Sequence, residues 1–445
     1  MVLQLLKVLN KWTEILDMGG EVDVIYCDFM KAFDTVPHSR LLDVLVYYGI
    51  NDPVLSWIKA FLSNRKQRVM VNGVPSSWYD VVSGIPQGSV LGPVLFVIFI
   101  NTLVDVIKDS EAFMFADDTK IFKGIFKPED CELLQGDIEN AKKWSDDSKL
   151  RFHPDKMASM RISLKKDVEH HTYHMSGKDL AKSEQETDLG VIIDSKLTFE
   201  AHIQGKINKA NSIMGVIRRT MDYLDPESFK LLFTSLVRPH LEFANAIWCP
   251  YWKKHIVALE NVQRRASKRV PGLSILSYPE RLRKIGLPTL QYRRYRGDMI
   301  ETFKITHGIY DTSVTADFLP IVPKNTETRG HDYMLFKRRC HYKIRNESFT
   351  YRIVDQWNNL PKCVVHVKTV QTFERNLDKM WSDLKPAVMY NYDGIDFRKE
   401  TTRYNIRYYK LPRKAVTNQT NPTDINHAQD SVESNTDLRL EGPYA

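Results

Sequence analysis

Ala112-Phe113-Met114-Phe115-Ala116-Asp117-Asp118-Thr119-Lys120-Ile121-Phe122 sets two apolar runs around a pair of acids. Ala112–Phe115 and Thr119–Phe122 read as the strands of a tight hairpin with Asp117 and Asp118 at its turn. Neighbouring carboxylates repel unless a cation holds them. Taken alone, Asp-Asp in a turn is ordinary turn chemistry, so its meaning depends on what the rest of the chain brings to it. Far upstream, Val22–Cys27 is apolar and β-branched, reads as a buried strand, and is followed directly by Asp28. An ionised carboxylate there is costly unless it is paired or bound to a metal. Hard oxygen donors of this kind suit Mg²⁺. Brought together, the three could bind two ions about 3.5–4 Å apart, the arrangement that drives in-line phosphoryl transfer.

Working outward, the spacing predicts helices over His38–Tyr48 and from Pro53 to about Leu62. Two short strands follow, Gln67–Val71 and Trp78–Val82, with Asn72-Gly73 as the turn between them. Ser83–Gly88 is a Gly/Pro loop leading into a strongly apolar helix. A helix over Pro128–Trp144 and a strand over Met157–Leu164 complete the layer. Strands and helices alternate without a Rossmann glycine fingerprint, which favours an antiparallel sheet with helices on one face. From Phe199 the pattern becomes helical, with runs over His202–Met221, Pro226–Trp248 and His255–Val270. In the last of these, Ile256, Leu259, Val262, Ala266 and Val270 share one face, and Arg264, Arg265, Lys268 and Arg269 lie roughly opposite.

Charge divides along the chain in the same way. Of the net +8, residues 1–165 carry 19 Lys and Arg against 22 Asp and Glu, and the remainder carries 44 against 33. The second half is thus the polyanion-facing candidate. The most apolar window, Val94–Val106, is broken by Asn101, Thr102 and Asp105 and is too short to span a bilayer. No cleavage-site pattern marks Met1–Asn10 as a signal peptide. The five cysteines form no CxxC pair and no zinc spacing, which fits a reducing compartment, cytoplasm or nucleus, and excludes a disulfide scaffold.

Three strings occur in order: Asp28-Phe29-Met30-Lys31-Ala32-Phe33-Asp34, Gly84-Ile85-Pro86-Gln87-Gly88-Ser89-Val90-Leu91-Gly92-Pro93 and Phe115-Ala116-Asp117-Asp118. Together they resemble motifs A, B and C of the reverse transcriptases of non-LTR (LINE-type, jockey/CR1-like) retrotransposons. Trp144 with Leu150, Phe152 and Lys156 resembles motif D. Leu189-Gly190-Val191, Val237-Arg238-Pro239-His240-Leu241-Glu242, Leu259-Glu260-Asn261-Val262-Gln263-Arg264-Arg265-Ala266 and Trp357-Asn358-Asn359-Leu360-Pro361 resemble downstream stretches of the same elements.

The resemblance implies an RNA-directed DNA polymerase that uses an RNA template, a DNA primer, deoxynucleoside triphosphates and two Mg²⁺ ions, with Mn²⁺ as the alternative. It assigns Asp28, Asp117 and Asp118 to the metal site and Lys156 to proton donation. Phe33 falls at the steric gate against a 2′-hydroxyl, and Gln87 and Gly88 approach the templating base and incoming nucleotide. Arg264, Arg265, Lys268 and Arg269 would follow template–primer phosphates. Asp34 is read as fixing the turn rather than binding metal. Against these stand plain alternatives: a core aromatic, a helix-entry loop, a surface lysine and a solvated basic face.

The implied fold is α/β (α+β). Residues 1–195 would be a right-hand polymerase palm with an antiparallel, ferredoxin-like sheet, and 196–310 a helical, basic thumb. Residues 311–390 would be an element-specific region and 391–445 a disordered tail. The family's fingers are largely missing, so the copy reads as N-terminally truncated. The rival expectation is a catalytically silent nucleic-acid-binding relic of the same element.

Overall fold

The computed structural model describes residues 1–383 and 389, except 167, 169, 316 and 324–329. The expected tail at 391–445 lies outside the described residues.

The chain opens with helix α1 (Val2–Asp17), whose Leu5, Leu6, Leu9, Trp12 and Leu16 recur at helical spacing and are buried. Strand β1 (Glu21–Cys27) follows. After α2 (His38–Tyr47) and α3 (Val54–Leu62) comes a ribbon of short strands: β2 (Lys66–Gln67), β3 (Met70–Val71), β4 (Val74–Pro75) and β5 (Tyr79–Asp80). Next are α4 (Leu91–Asn101), the hairpin strands β6 (Glu111–Phe115) and β7 (Asp118–Ile125), α5 (Glu129–Ser148) and β8 (Ala158–Ile162). Strand β9 (Ala181–Lys182) and a second hairpin, β10 (Gln185–Asp188) with β11 (Val191–Asp194), close this half.

The main sheet has the order β9-β8-β1-β7-β6 and is antiparallel except where β9 runs parallel to β8. Helices cover both of its faces, which corrects the expectation of one helical face. Val22, Val24, Phe122, Met160 and Ile162 point into a core shared with α1. Ile25, Cys27 and Ile121 point into a second core with α2 to α5. The reason is visible in β1, where six of seven residues are buried, since a strand covered on both sides reads as a near-continuous apolar run. Trp12 anchors the first core, edge-on to Phe122 at 5.8 Å. The second core contains a buried charge cluster. Arg161 grips Asp23 with two nitrogens at 2.6 and 2.5 Å, and Tyr173 donates to the same carboxylate at 2.5 Å.

The second half is helical: α6 (Glu200–Thr220), α7 (Lys253–Ser267), α8 (Tyr278–Ile285), α9 (Leu290–Thr306) and α10 (Val370–Asp383). The expected single helix over Pro226–Trp248 is instead broken. Pro226–Leu232 passes into a π-helical turn at Phe233–Val237, then into Arg238–Glu242, and a left-handed Ala244 precedes Asn245–Trp248. Pro239 has no N–H to give an interior helical bond, and a π-bulge is a common local accommodation.

Glu260, fully buried on α7, accepts from Tyr278 Oη at 2.6 Å and from the backbone N–H of Leu290 at 3.0 Å. It thereby caps the start of α9, while burial pushes its carboxyl above the usual range. Trp357-Asn358 has an equally structural role. Trp357 Nε1 donates to Tyr333 O at 2.7 Å. The Asn358 amide pairs with both backbone groups of Leu335, at 2.7 and 2.8 Å, as a strand neighbour would. Arg352 clasps Asp298 of α9 at 2.8 and 2.9 Å, and Arg345 donates to Asn10 and Thr13 of α1. The segment carrying these residues therefore straps α1 to the helical half. Among the described residues no helix is long and apolar enough to cross a membrane.

Candidate active site

The β1–β7 pairing decides where the acids sit. Its register runs from Glu21↔Ile125 to Cys27↔Thr119. Carried one step further, it sets Asp28 opposite Asp118. Directly opposed residues of an antiparallel pair point to the same face, with Cβ atoms about 5 Å apart. Asp117 occupies the two-residue turn between β6 and β7, which a left-handed Ala116 makes possible. Three carboxylates distant in sequence thus meet at one end of the sheet. Asp117 and Asp118 are exposed and Asp28 is half-buried.

The electrostatics are those of crowded negative charge. The Asp118 carboxyl is pushed above its ordinary range by partial burial, then by Asp117, Asp188 and Asp28, with Lys120 opposing. The Lys156 ammonium stands 3.2 Å from Asp28 Oδ2. Among the described residues no three His, Cys, Asp or Glu side chains are gathered as a ready-made metal cage. The donor set nevertheless fits a hard divalent cation: facing carboxylates, oxygen-only donors and charge left over.

The loop at 83–88 is tied down to the turn after β1. Gln87 Nε2 donates to Asp34 Oδ1 at 2.9 Å, and Ser83 Oγ to Asp34 O at 3.0 Å. His38 Nε2 lies 2.8 Å from Gly84 O. Gly84 admits no side chain, because a Cβ there would come within 2.6 Å of Asp34 O. Gly88 has open space around it, and its φ of 82° is what favours glycine. Phe33 is half-buried and stacks on Phe96 at 4.2 Å. Asp34 therefore holds the loop and does not join the acidic cluster.

The basic helix behaves differently. Arg264 is drawn over the Tyr278 ring, 5.1 Å from its centroid, so it leaves the face on which it was expected. Arg265 and Arg269 line a groove of about 280 Å³ beside α6 and α7, where Arg218 joins them. Lys268 and Arg269 follow the end of the helix and are exposed.

Two features escaped the sequence reading. The buried ion pair of Lys120 with Asp188 ties the acid-bearing strand to the β10–β11 hairpin. The other is Arg218. The position of Lys120 two residues beyond Asp118 was a clue to the first, but its partner lies 68 residues away.

Residues 11–193 match the family described as reverse transcriptase (RNA-dependent DNA polymerase). Over that stretch the chain is similar to reverse transcriptases. Over 285 residues the chain is 25% identical to the RNA-directed DNA polymerase from mobile element jockey of Drosophila funebris, covering 60% of this chain and 30% of that protein. The probable polymerase from transposon X-element of Drosophila melanogaster is 21% identical over 281 residues, with the same shares covered. The Pol polyprotein of the type-1 element R2 of Popillia japonica is 31% identical over 93 residues, 21% of this chain and 15% of that one. The chain thus spans less than a third of the length of the curated relatives it matches. A solved Candida albicans telomerase, in complex with a fragment of telomeric RNA, aligns over 60% of this chain and 51% of its own. Its identity is 11% and its TM-score 0.35.

Proposed function

We propose that this chain carries the polymerase core of an RNA-directed DNA polymerase. It would add deoxynucleotides to a primer 3′-hydroxyl on an RNA template. The observation that carries this reading is the register that ends at Cys27↔Thr119, from which Asp28 continues towards the Asp117-Asp118 turn, whose Asp118 feels the charge of Asp28. In this reading residues 1–195 act as palm and 196–310 as thumb.

Asp28, Asp117 and Asp118 would hold the divalent ions, two Mg²⁺ with Mn²⁺ as the alternative. When bound, such ions lower the pKa of the attacking hydroxyl and steady the charge on the leaving oxygens. The remaining work falls to the chain itself. The facing carboxylates fix where positive charge can collect. Phe33, five residues after Asp28 and braced by Phe96, would present a rigid ring as the gate against a 2′-hydroxyl. Gln87 and Gly88, held by Asp34, position template base and nucleotide, and such positioning is worth about 7–11 kcal/mol of barrier in favourable systems. Lys156, 3.2 Å from Asp28, is the donor that returns a proton to the departing pyrophosphate. Arg265 and Arg269, joined by Arg218, would meet backbone phosphates without regard to sequence.

The test is primer extension on poly(rA)/oligo(dT) with Mg²⁺. Incorporation by the chain and its loss in Asp117→Ala support the reading, whereas no incorporation above that variant rejects it.

A further inference from the structure

The ribbon that precedes the 83–88 loop is the least sheltered part of the described chain. Every residue from 66 to 80 is exposed. Its two ladders pair Lys66 with Asp80 and Met70 with Pro75, and the turn at Asn72-Gly73 has φ values of 50° and 83°. These values suit the turn geometry that a two-residue hairpin prefers. A lone two-stranded hairpin is marginal in water. This one also leaves large apolar side chains uncovered, with Val74 at 70%, Tyr79 at 65% and Trp78 at 58% exposure. Several large apolar side chains left exposed on one short ribbon mark a candidate interaction site.

What could cover it follows from its charge and rings. Arg65, Lys66 and Arg68 stand against one acid, Asp80, between residues 65 and 81. The Arg68 guanidinium lies 4.7 Å from the Trp78 ring centroid, so cation and indole form one surface. At the root, Arg65 Nη1 is shielded from water and has no hydrogen-bond partner. Val81 N–H donates to Arg65 O at 2.8 Å, and the next residues are the loop bound to Asp34. The ribbon therefore rises directly from the wall of the candidate site. At about 3.3 Å per residue its tip reaches roughly 20 Å outward.

We propose that this ribbon binds single-stranded polynucleotide running up to the site, with bases stacking on Trp78 and Tyr79 and phosphates meeting Arg65, Lys66 and Arg68. Cations interleaved with exposed rings are what an unpaired strand requires, and a closed duplex offers no base faces to stack. The phrase "running up to the site" rests on the polymerase reading, while the binding chemistry does not.

The experiment measures fluorescence anisotropy of the full chain with primer–template duplexes, either blunt or carrying a single-stranded template overhang. RNA and DNA templates are compared to show which strand chemistry the ribbon takes. The wild type is expected to bind the overhang substrate more tightly than the blunt one. Trp78→Ala with Tyr79→Ala should lose about tenfold or more of that gain, and leave blunt-duplex affinity and melting temperature unchanged. Replacing Arg65, Lys66 and Arg68 by Ala should make the logarithmic salt slope shallower by about 2. Trp78→Phe, which keeps a stacking ring, should retain most of the gain.

Absence of any overhang preference in the wild type overturns the proposal, as does equal overhang binding by the variants. So does a ribbon variant that loses only binding to phosphatidylserine vesicles, or only self-association. If the chain incorporates no nucleotide but the ribbon-dependent overhang binding persists, the polymerase reading falls and the ribbon stands. If extension proceeds and the ribbon variants bind as the wild type does, the ribbon proposal falls alone.

Discussion

Asp23 and Asp28 lie five residues apart on and just past one strand, and they meet opposite fates. Asp23 is 2% exposed and fully engaged, held by Arg161 and by Tyr173. Asp28 is half-exposed and faces another carboxylate across the sheet, with one lysine nearby. The pleat separates them: odd-numbered Asp23 points into the core under α5, and even-numbered Asp28 points to the face shared by Lys120 and Asp118. An acid in an apolar strand is therefore not in itself a mark of chemistry. What distinguishes the two is whether the fold buries the acid among donors that satisfy it, as at Asp23, or leaves it half-exposed towards other acids, as at Asp28.

The sharpest way to break this comparison is to remove each acid in turn. Asp23→Ala leaves the Arg161 guanidinium buried without its carboxylate and should cost about 3–5 kcal/mol in denaturant unfolding. Adding Arg161→Met should recover much of that, because replacing both charges with apolar groups is far cheaper than stranding one. If Asp23→Ala unfolds at the wild-type midpoint, the structural assignment of Asp23 is wrong. Asp28→Ala should do the reverse. Primer extension is expected to fall about a thousandfold or more, as for loss of a principal electrostatic group, with the unfolding midpoint unchanged.

The contrast also marks what could be read from the sequence. Asp28, Asp117 and Asp118 were legible because they sit in short, ordered words whose local chemistry is unusual. The strands that bear them, and the Asn72-Gly73 turn, follow from period and turn residues that act over a few positions. The partners were not legible. Nothing near Asp23 announces Arg161, 138 residues away, and nothing near Glu260 announces that it caps a helix beginning at Leu290. The helical wheel correctly buried Leu259, Val262, Ala266 and Val270. It could not foresee that Tyr278 would draw Arg264 off the basic face.

A smaller effect tests burial without a partner. His202 is 1% exposed, and its Nδ1 accepts from the Ile192 N–H at 3.1 Å, which places the proton on Nε2. Burial, with Lys206 adding to it, lowers its pKa to about 4 from an ordinary 6.5. The neutral ring is thus favoured in the folded chain. The sign follows from linkage: its stabilising contribution is complete above pH 6.5 and is lost as pH falls from there towards 4. The full difference is about 3 kcal/mol. Unfolding free energies of wild type and His202→Phe, measured across that window, should differ in slope. Parallel curves would show that His202 does not titrate with folding.

The smallest effect lies at the acids themselves and has the opposite sign. Asp118 is held above its ordinary 3.8 by burial and by Asp117, Asp188 and Asp28. The folded chain therefore takes up this proton more readily than the unfolded chain does. Ionised Asp118 costs stability at neutral pH, and the cost is relieved as pH falls through the raised folded value towards 3.8. Asp118→Asn should then be slightly more stable than wild type at pH 7, by less than about 1 kcal/mol because the group is exposed and screened. The gain should vanish below the carboxylate range. Added Mg²⁺ should raise the melting temperature of the wild type more than that of Asp118→Asn, since a cation neutralises the repulsion the substitution has already removed. If Asp118→Asn instead behaves like Asp23→Ala and destabilises the chain at every pH, this end of the sheet is as fully paired as the other. The difference between Asp23 and Asp28 would then not be one of chemistry.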